Sequence, residues 1–256
     1  MTRFEEVVAN SPTRPLLCAV CYTYNPVFVE MTGSLGFSVI WIEMEHGHIT
    51  FNETADLCRL TQALGLLAMI RIPDSRRENI LKAAECDPDI IDLPMTNSLE
   101  IAAEFVKHAR YHPEGQRGFY GSARAQKYGL PPNVREEHER VNRELSLMAQ
   151  IETIEAVELA DDICSLPGIN AILLGPGDLS TSLGIPGQTA HPEVREAAGK
   201  AIAAAKSHGR LVAVAAPAKD TSFWTEKGVD MICVATDVTC MRLGLQSVVA
   251  QARGGT

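Results

Sequence analysis

The chain has 256 residues, 46% of them hydrophobic and 21% charged, a balance that excludes disordered, fibrous and membrane-embedded classes. Lys and Arg number 23 against 32 Asp and Glu, a net charge of −9 with no basic run, which excludes a phosphate backbone as partner. The length fits one domain over residues 1–256, since α/β barrels reach about 250 residues as single units.

Short apolar runs alternate with longer amphipathic stretches along the chain. The runs predict strands at Leu16–Val20, Val39–Met44, Leu66–Arg71, Asp89–Pro94, Leu147–Glu152, Ala171–Gly175, Leu211–Ala216 and Met231–Thr236. Between and after them, helical periodicity covers Asn52–Leu64, Arg76–Glu85, Ser98–Arg110, Thr153–Cys164, Pro192–His208 and Asp237–Ala252. Mostly apolar strands, each followed by a helix, indicate a parallel sheet covered on its outside, and eight of them indicate a closed (β/α)8 TIM barrel.

The segment from Tyr111 to Asn133, rich in Gly and Pro, is longer than barrel connections usually are and is expected to act as a lid or a subunit contact. No apolar stretch approaches the roughly 18 residues of a membrane span, and Met1–Asn10 lacks the regions of a signal peptide, so a cytoplasmic location is expected. The seven cysteines are scattered and odd in number, which points to reduced thiols; Cys18 and Cys21 form a C-x-x-C without a second pair and are expected in or near the core.

In a barrel of this kind the chemistry sits at the carboxyl ends of the strands. Strand two closes in Glu43-Met44-Glu45-His46-Gly47-His48, strand three in Arg71, strand four in Asp92-Leu93-Pro94, strand five in Gln150-Ile151-Glu152, and strand six in Gly175-Pro176-Gly177-Asp178. Glu152 and Asp178 end adjacent strands, so they could share an ion; two hard oxygen ligands without a thiolate favour Mg2+ or Mn2+, whereas a helix cap and a turn residue are the competing account. His46 is the side chain best suited to exchange a proton near neutral pH, and Arg71 is suited to an oxyanion. The turn at Gly175, Gly177 and Asp178 offers backbone N–H groups to a carboxylate. No P-loop or dinucleotide fingerprint is present. Schiff-base chemistry is disfavoured because only Lys219 comes near a strand end.

These residues resemble the class II, metal-dependent pyruvate aldolases of the 4-hydroxy-2-oxoheptanedioate and 2-keto-3-deoxy-rhamnonate type, the HpcH/HpaI family. The likeness runs through Ile42–Gly47, Ile70–Pro73, Leu93–Met95, Tyr111–Gly118, Gln150–Thr153, Gly175–Ser180 and His191–Val194. It implies Glu152 and Asp178 as metal ligands, Arg71 as the group polarising a keto oxygen and His46 as part of the base, with Glu43 and Glu85 supporting that base. Gln150, Gly175, Pro176, Gly177 and Phe119 are the expected substrate contacts. A small-molecule oxo acid would be cleaved to pyruvate and an aldehyde, in a homo-oligomer, usually a hexamer, whose last helix is exchanged between subunits. Glu43 and Glu85 stand where the family usually has Asp. The alternatives are a related lyase acting on an acyl-CoA or another oxo acid, and a metal-dependent hydrolase using His46 and His48.

Overall fold

The computed structural model describes residues 1–254. Eight parallel strands, β1 (Leu16–Cys21), β2 (Val39–Glu43), β3 (Leu67–Arg71), β4 (Ile90–Leu93), β5 (Ser146–Ile151), β6 (Ala171–Leu174), β7 (Leu211–Ala215) and β8 (Met231–Thr236), close into a barrel in chain order. Helices α1 (Arg3–Asn10), α2 (Pro26–Ser34), α3 (Phe51–Ala63), α4 (Arg77–Glu85), α5 (Leu99–Ala109), α6 (Val134–Glu144), α7 (Ile154–Glu158), α8 (Ala160–Ser165), α9 (Pro176–Ser182), α10 (Pro192–Ser207), α11 (Thr221–Glu226) and α12 (Asp237–Ala252) accompany them. The stretch read as one helix over Thr153–Cys164 divides at Leu159, whose backbone (φ −92°, ψ 1°) ends α7 before α8 resumes.

The period of two along each strand sorts the core into two shells. Ile40, Ile42, Ala68, Ile70, Ile91, Leu147, Ala149, Ile172 and Val214 face outward under the helices. Val39, Trp41, Leu67, Met69, Ile90, Met148, Ala171, Leu173, Ala213 and Cys233 fill the interior. Cys18 belongs to the inner shell and Cys21 to the outer, because positions three apart on a strand face opposite ways; this C-x-x-C cannot clasp one ion. Burial pushes the Cys21 thiol up to about 12.

Helix α1 closes the amino-terminal end. Thr2 caps it, Phe4 and Val8 enter the inner shell, Arg3 pairs with Asp89 at 2.8 Å, and Ser146 donates to Thr2 Oγ1 at 2.6 Å. At the other end, the buried Asp237 carboxylate accepts from the Tyr22 N–H (3.1 Å) and from the Thr23 N–H and hydroxyl (2.9 and 2.6 Å), tying the start of α12 to the end of β1. Beyond that tie α12 is exposed along its length, with Val238, Met241, Leu245 and Val249 uncovered.

The long connection at 111–133 follows α5 rather than a strand, so it leaves from the amino-terminal end of the barrel, and part of it packs against α4 and α6. Its placement differs from a lid over this chain's own mouth, because a helix returns the chain to the end opposite the strand tips. Among the described residues no helix is long and apolar enough to cross a membrane.

Candidate active site

Inward-facing positions near the carboxyl ends of the strands are where the apolar filling stops. The same parity that places Trp41 inside turns Glu43 inward, and the parity of Met69 turns Arg71 inward. Both side chains are buried, and Arg71 Nε donates to Glu43 Oε2 at 2.6 Å. Glu43 Oε1 accepts the N–H groups of Glu45 (2.7 Å) and His46 (3.0 Å), so one carboxylate shapes the turn that carries the imidazole. Gly47 is required in that turn: a Cβ there would lie 2.4 Å from the Glu43 carbonyl oxygen.

Arg71 Nη1 lies 3.0 Å from Glu45 Oε2, and the Arg71 guanidinium carbon sits 5.1 Å from the centre of the Trp41 ring. Burial opposes the charge on Arg71, yet Glu43, Glu45 and Asp92 together raise its pKa above the ordinary value. Among the described residues no acceptor engages Nη2. His46 reaches out of the mouth, its side chain 60% exposed and its Nε2 3.8 Å from Glu45 Oε2.

Glu152 is buried just past β5. Its Oε1 accepts from the Met95 N–H at 2.8 Å and its Oε2 from Gln150 Nε2 at 2.5 Å. Met95 holds φ +49°, a left-handed conformation that costs a non-glycine residue on the order of 1 kcal/mol. That turn aims its N–H at the carboxylate. Burial pushes the Glu152 carboxyl up to about 7 against the Met95 bond, and the nearby negative charge of Asp178 adds to the rise. Asp178 itself is exposed, in the first turn of α9.

Gly175 makes room for this arrangement, since a Cβ there would come within 2.8 Å of both Glu152 Cβ and Oε2. Its N–H is already used, donating to the Ile151 carbonyl at 3.2 Å, so the expected N–H cradle reduces to Gly177 and Asp178; Pro176 has none. At Gly177 a Cβ would meet open space.

The mouth therefore gathers Glu43, His46, Arg71, Gln150, Glu152, Gly175, Pro176, Gly177 and Asp178. Glu85 and Phe119 are not brought to it within this chain. Glu85 ends α4, at the other end of the barrel, where Arg117 Nη2 donates to it at 3.2 Å. Phe119 is 55% exposed and packs edge-on against His138 of α6, with ring centres 5.2 Å apart. The physical reason is the long connection that carries Phe119 and Arg117, which runs outside the barrel. His48 is exposed and joins no metal-binding cluster, and Lys219 is exposed. Sequence reading gave no role to Met95, whose only signal was its place after Leu93-Pro94, or to Asp237.

The donor set suits a hard divalent cation. Glu152 and Asp178 supply two carboxylates, both hard oxygen donors. Among the described residues no group of three or more His, Cys, Asp or Glu side chains could hold a metal.

Residues 21–242 match the HpcH/HpaI aldolase/citrate lyase family. The chain is 28% identical over 232 residues to a 5-keto-4-deoxy-D-glucarate aldolase of Klebsiella pneumoniae, covering 89% of this chain and 88% of that one. It is 27% identical to a 2-dehydro-3,6-dideoxy-6-sulfogluconate aldolase of Pseudomonas putida, with 88% of each covered. The solved HpcH/HpaI aldolase of Desulfitobacterium hafniense superposes with a TM-score of 0.90 at 29% identity, over 99% of this chain and 97% of that one. The chain belongs to the HpcH/HpaI aldolase/citrate lyase family. Within it, the chain is an enzyme of the class II aldolase type, a carbon–carbon lyase, and this fits better than a hydrolase or an acyl-CoA lyase.

Proposed function

We propose that this enzyme cleaves a 4-hydroxy-2-oxo acid to pyruvate and an aldehyde with the aid of Mg2+ or Mn2+. The supporting observation is the convergence of a partnered but open-ended Arg71 with the Glu152 and Asp178 carboxylates around one mouth. Glu152 and Asp178 would hold the ion. When bound, such an ion polarises the keto group as a Lewis acid.

The chain's own groups account for the remaining work. Gly177 and Asp178 offer N–H groups to the substrate carboxylate. Arg71, gripped through Nε and Nη1, presents Nη2 to the keto oxygen and holds the negative charge that collects there. His46 takes the proton of the 4-hydroxyl, with Glu45 Oε2 lying 3.8 Å from its Nε2. The C3–C4 bond then breaks, its electron pair passes to the enolate of pyruvate and the aldehyde departs; return of the proton to C3 gives pyruvate. Retro-aldol turnover measured before and after chelation tests this: activity that survives full removal of metal would refute the role given to Glu152 and Asp178.

The uncovered apolar side chains of α12 support a homo-oligomer in which this helix packs on a neighbouring copy. In such an assembly Glu85 and Phe119 would serve a neighbour's mouth rather than their own.

A further inference from the structure

Several buried polar atoms inside the barrel have no partner among the described residues, and the catalytic scheme uses none of them at the contact in question. They are the indole Nε1 of Trp41, both carboxyl oxygens of Asp92, and Oε1 of Gln150. Trp41 is 3% exposed, Asp92 0% and Gln150 2%. Unpaired groups this deep are rare in folded proteins, and each needs a partner.

The strand register brings them together. Followed once round the barrel, the pairing returns eight residues out of step, so residues at one height come from alternate strands. One layer then consists of Trp41, Asp92, Leu173 and Cys233. The layer above it consists of Val20, Arg71, Gln150 and Ala215. The unpaired atoms therefore belong to two successive layers, and the upper one includes two small or medium apolar side chains, Val20 and Ala215.

The hydrogen-bond accounting is specific. Trp41 can only donate, and Gln150 Oε1 can only accept. An ionised Asp92 would stand buried and unpaired beside Glu43 and Glu45, crowding a third negative charge around Arg71. Burial pushes its carboxyl well above the ordinary range, against the pull of Arg71. One water among the three groups can accept from Trp41, donate to Gln150 and bond to either form of the Asp92 carboxyl.

A water so placed would set the orientation of Gln150. An amide has one donating and one accepting end, and its donating end is turned on Glu152 at 2.5 Å. A donor to Oε1 holds it that way round.

We propose that Asp92 is a positioning residue which, through a buried water shared with Trp41, fixes the Gln150 amide and thereby aims Glu152 at the metal. This rests on the assignment of Glu152 as a metal ligand. Two measurements test it. A high-resolution crystal structure of the metal-free protein should contain a water within hydrogen-bond distance of Trp41 Nε1, Asp92 and Gln150 Oε1. Titration calorimetry with Mn2+ should find Asp92→Asn, which keeps a donor and the shape, within about threefold of wild type. Asp92→Leu should bind about tenfold or more weakly, as loss of support behind a ligand does, with a melting temperature no lower than wild type.

A dry layer between Trp41 and Gln150, wild-type affinity in Asp92→Leu, or equal damage in Asp92→Asn and Asp92→Leu would each overturn the proposal. Should Asp92→Leu not fold, the crystal structure and Asp92→Asn still decide. A wild-type protein that binds no Mn2+ overturns the metal site itself, and the metal-free crystal reports separately on the water.

Discussion

Arg71 Nε and Glu43 Oε2 meet at 2.6 Å inside a barrel where both side chains are shut away from solvent, and the same Glu43 carboxylate receives the backbone of His46 through its other oxygen. The acid is thus shared between the guanidinium proposed to stabilise charge and the turn that carries the imidazole proposed to move the proton. Arg71→Ala confounds two effects: it removes the keto-oxygen donor and strands a buried carboxylate, which costs about 3–5 kcal/mol of stability. Arg71→Lys separates them, because it keeps a charge for Glu43 and loses the planar fork. The expected result is a kcat lower by about 10²–10³-fold with a melting curve far closer to wild type than that of Arg71→Ala, read by steady-state kinetics beside calorimetry.

His46 stands out of the mouth with no packing duty. His46→Ala should therefore melt with the wild-type protein while kcat falls by about 10²–10⁴-fold. Wild-type turnover in this variant would remove His46 from the proton path.

The glycines after β6 predict opposite outcomes for the same change. Gly175→Ala sets a methyl group 2.8 Å from the Glu152 carboxylate, whereas Gly177→Ala meets nothing. Mn2+ titration should show affinity reduced about 10–100-fold in the first and unchanged in the second.

Metal affinity should depend on pH through Glu152. Burial raises this carboxyl to about 7 in the metal-free protein, and the ion needs the deprotonated form. Affinity should be roughly level above pH 7 and fall about tenfold per unit below it. The sign for stability is the reverse of the usual carboxylate case: a folded pKa above the unfolded one favours the fold at low pH, and this group's contribution is lost between about 4.5 and about 7 as pH rises. Calorimetry of the metal-free protein across that window checks the direction.

On α12, Met241→Asp and Leu245→Asp place charges at side chains that no described residue of this chain covers. Light scattering should show a smaller assembly than wild type, with the barrel's own circular dichroism retained.

Much of the site was legible because a period of two is a strict rule. A charged residue that closes an apolar strand at an inward position has nowhere to go but the mouth, which is why Glu43, Arg71 and Gln150 could be placed from spacing, and Glu152 at the strand's end with them. Asp92 had the same spacing, but whether a buried acid finds a partner is decided by neighbouring strands, and no linear pattern carries that. Met95 escaped for a similar reason, since a left-handed backbone at a non-glycine residue leaves no mark in the sequence. Glu85 and Phe119 show the converse: their motifs were readable, whereas the path of the chain around the outside of the barrel was not.

The seal formed by Thr2, Phe4 and Val8 beneath the strands has a kinetic corollary. With that end stoppered, reactant and both fragments share one doorway, and the fragment lodged deeper must wait for the shallower to clear. On the proposed mechanism, which sets pyruvate against Arg71, the aldehyde should leave first and pyruvate second, so pyruvate should inhibit cleavage competitively and the aldehyde should not.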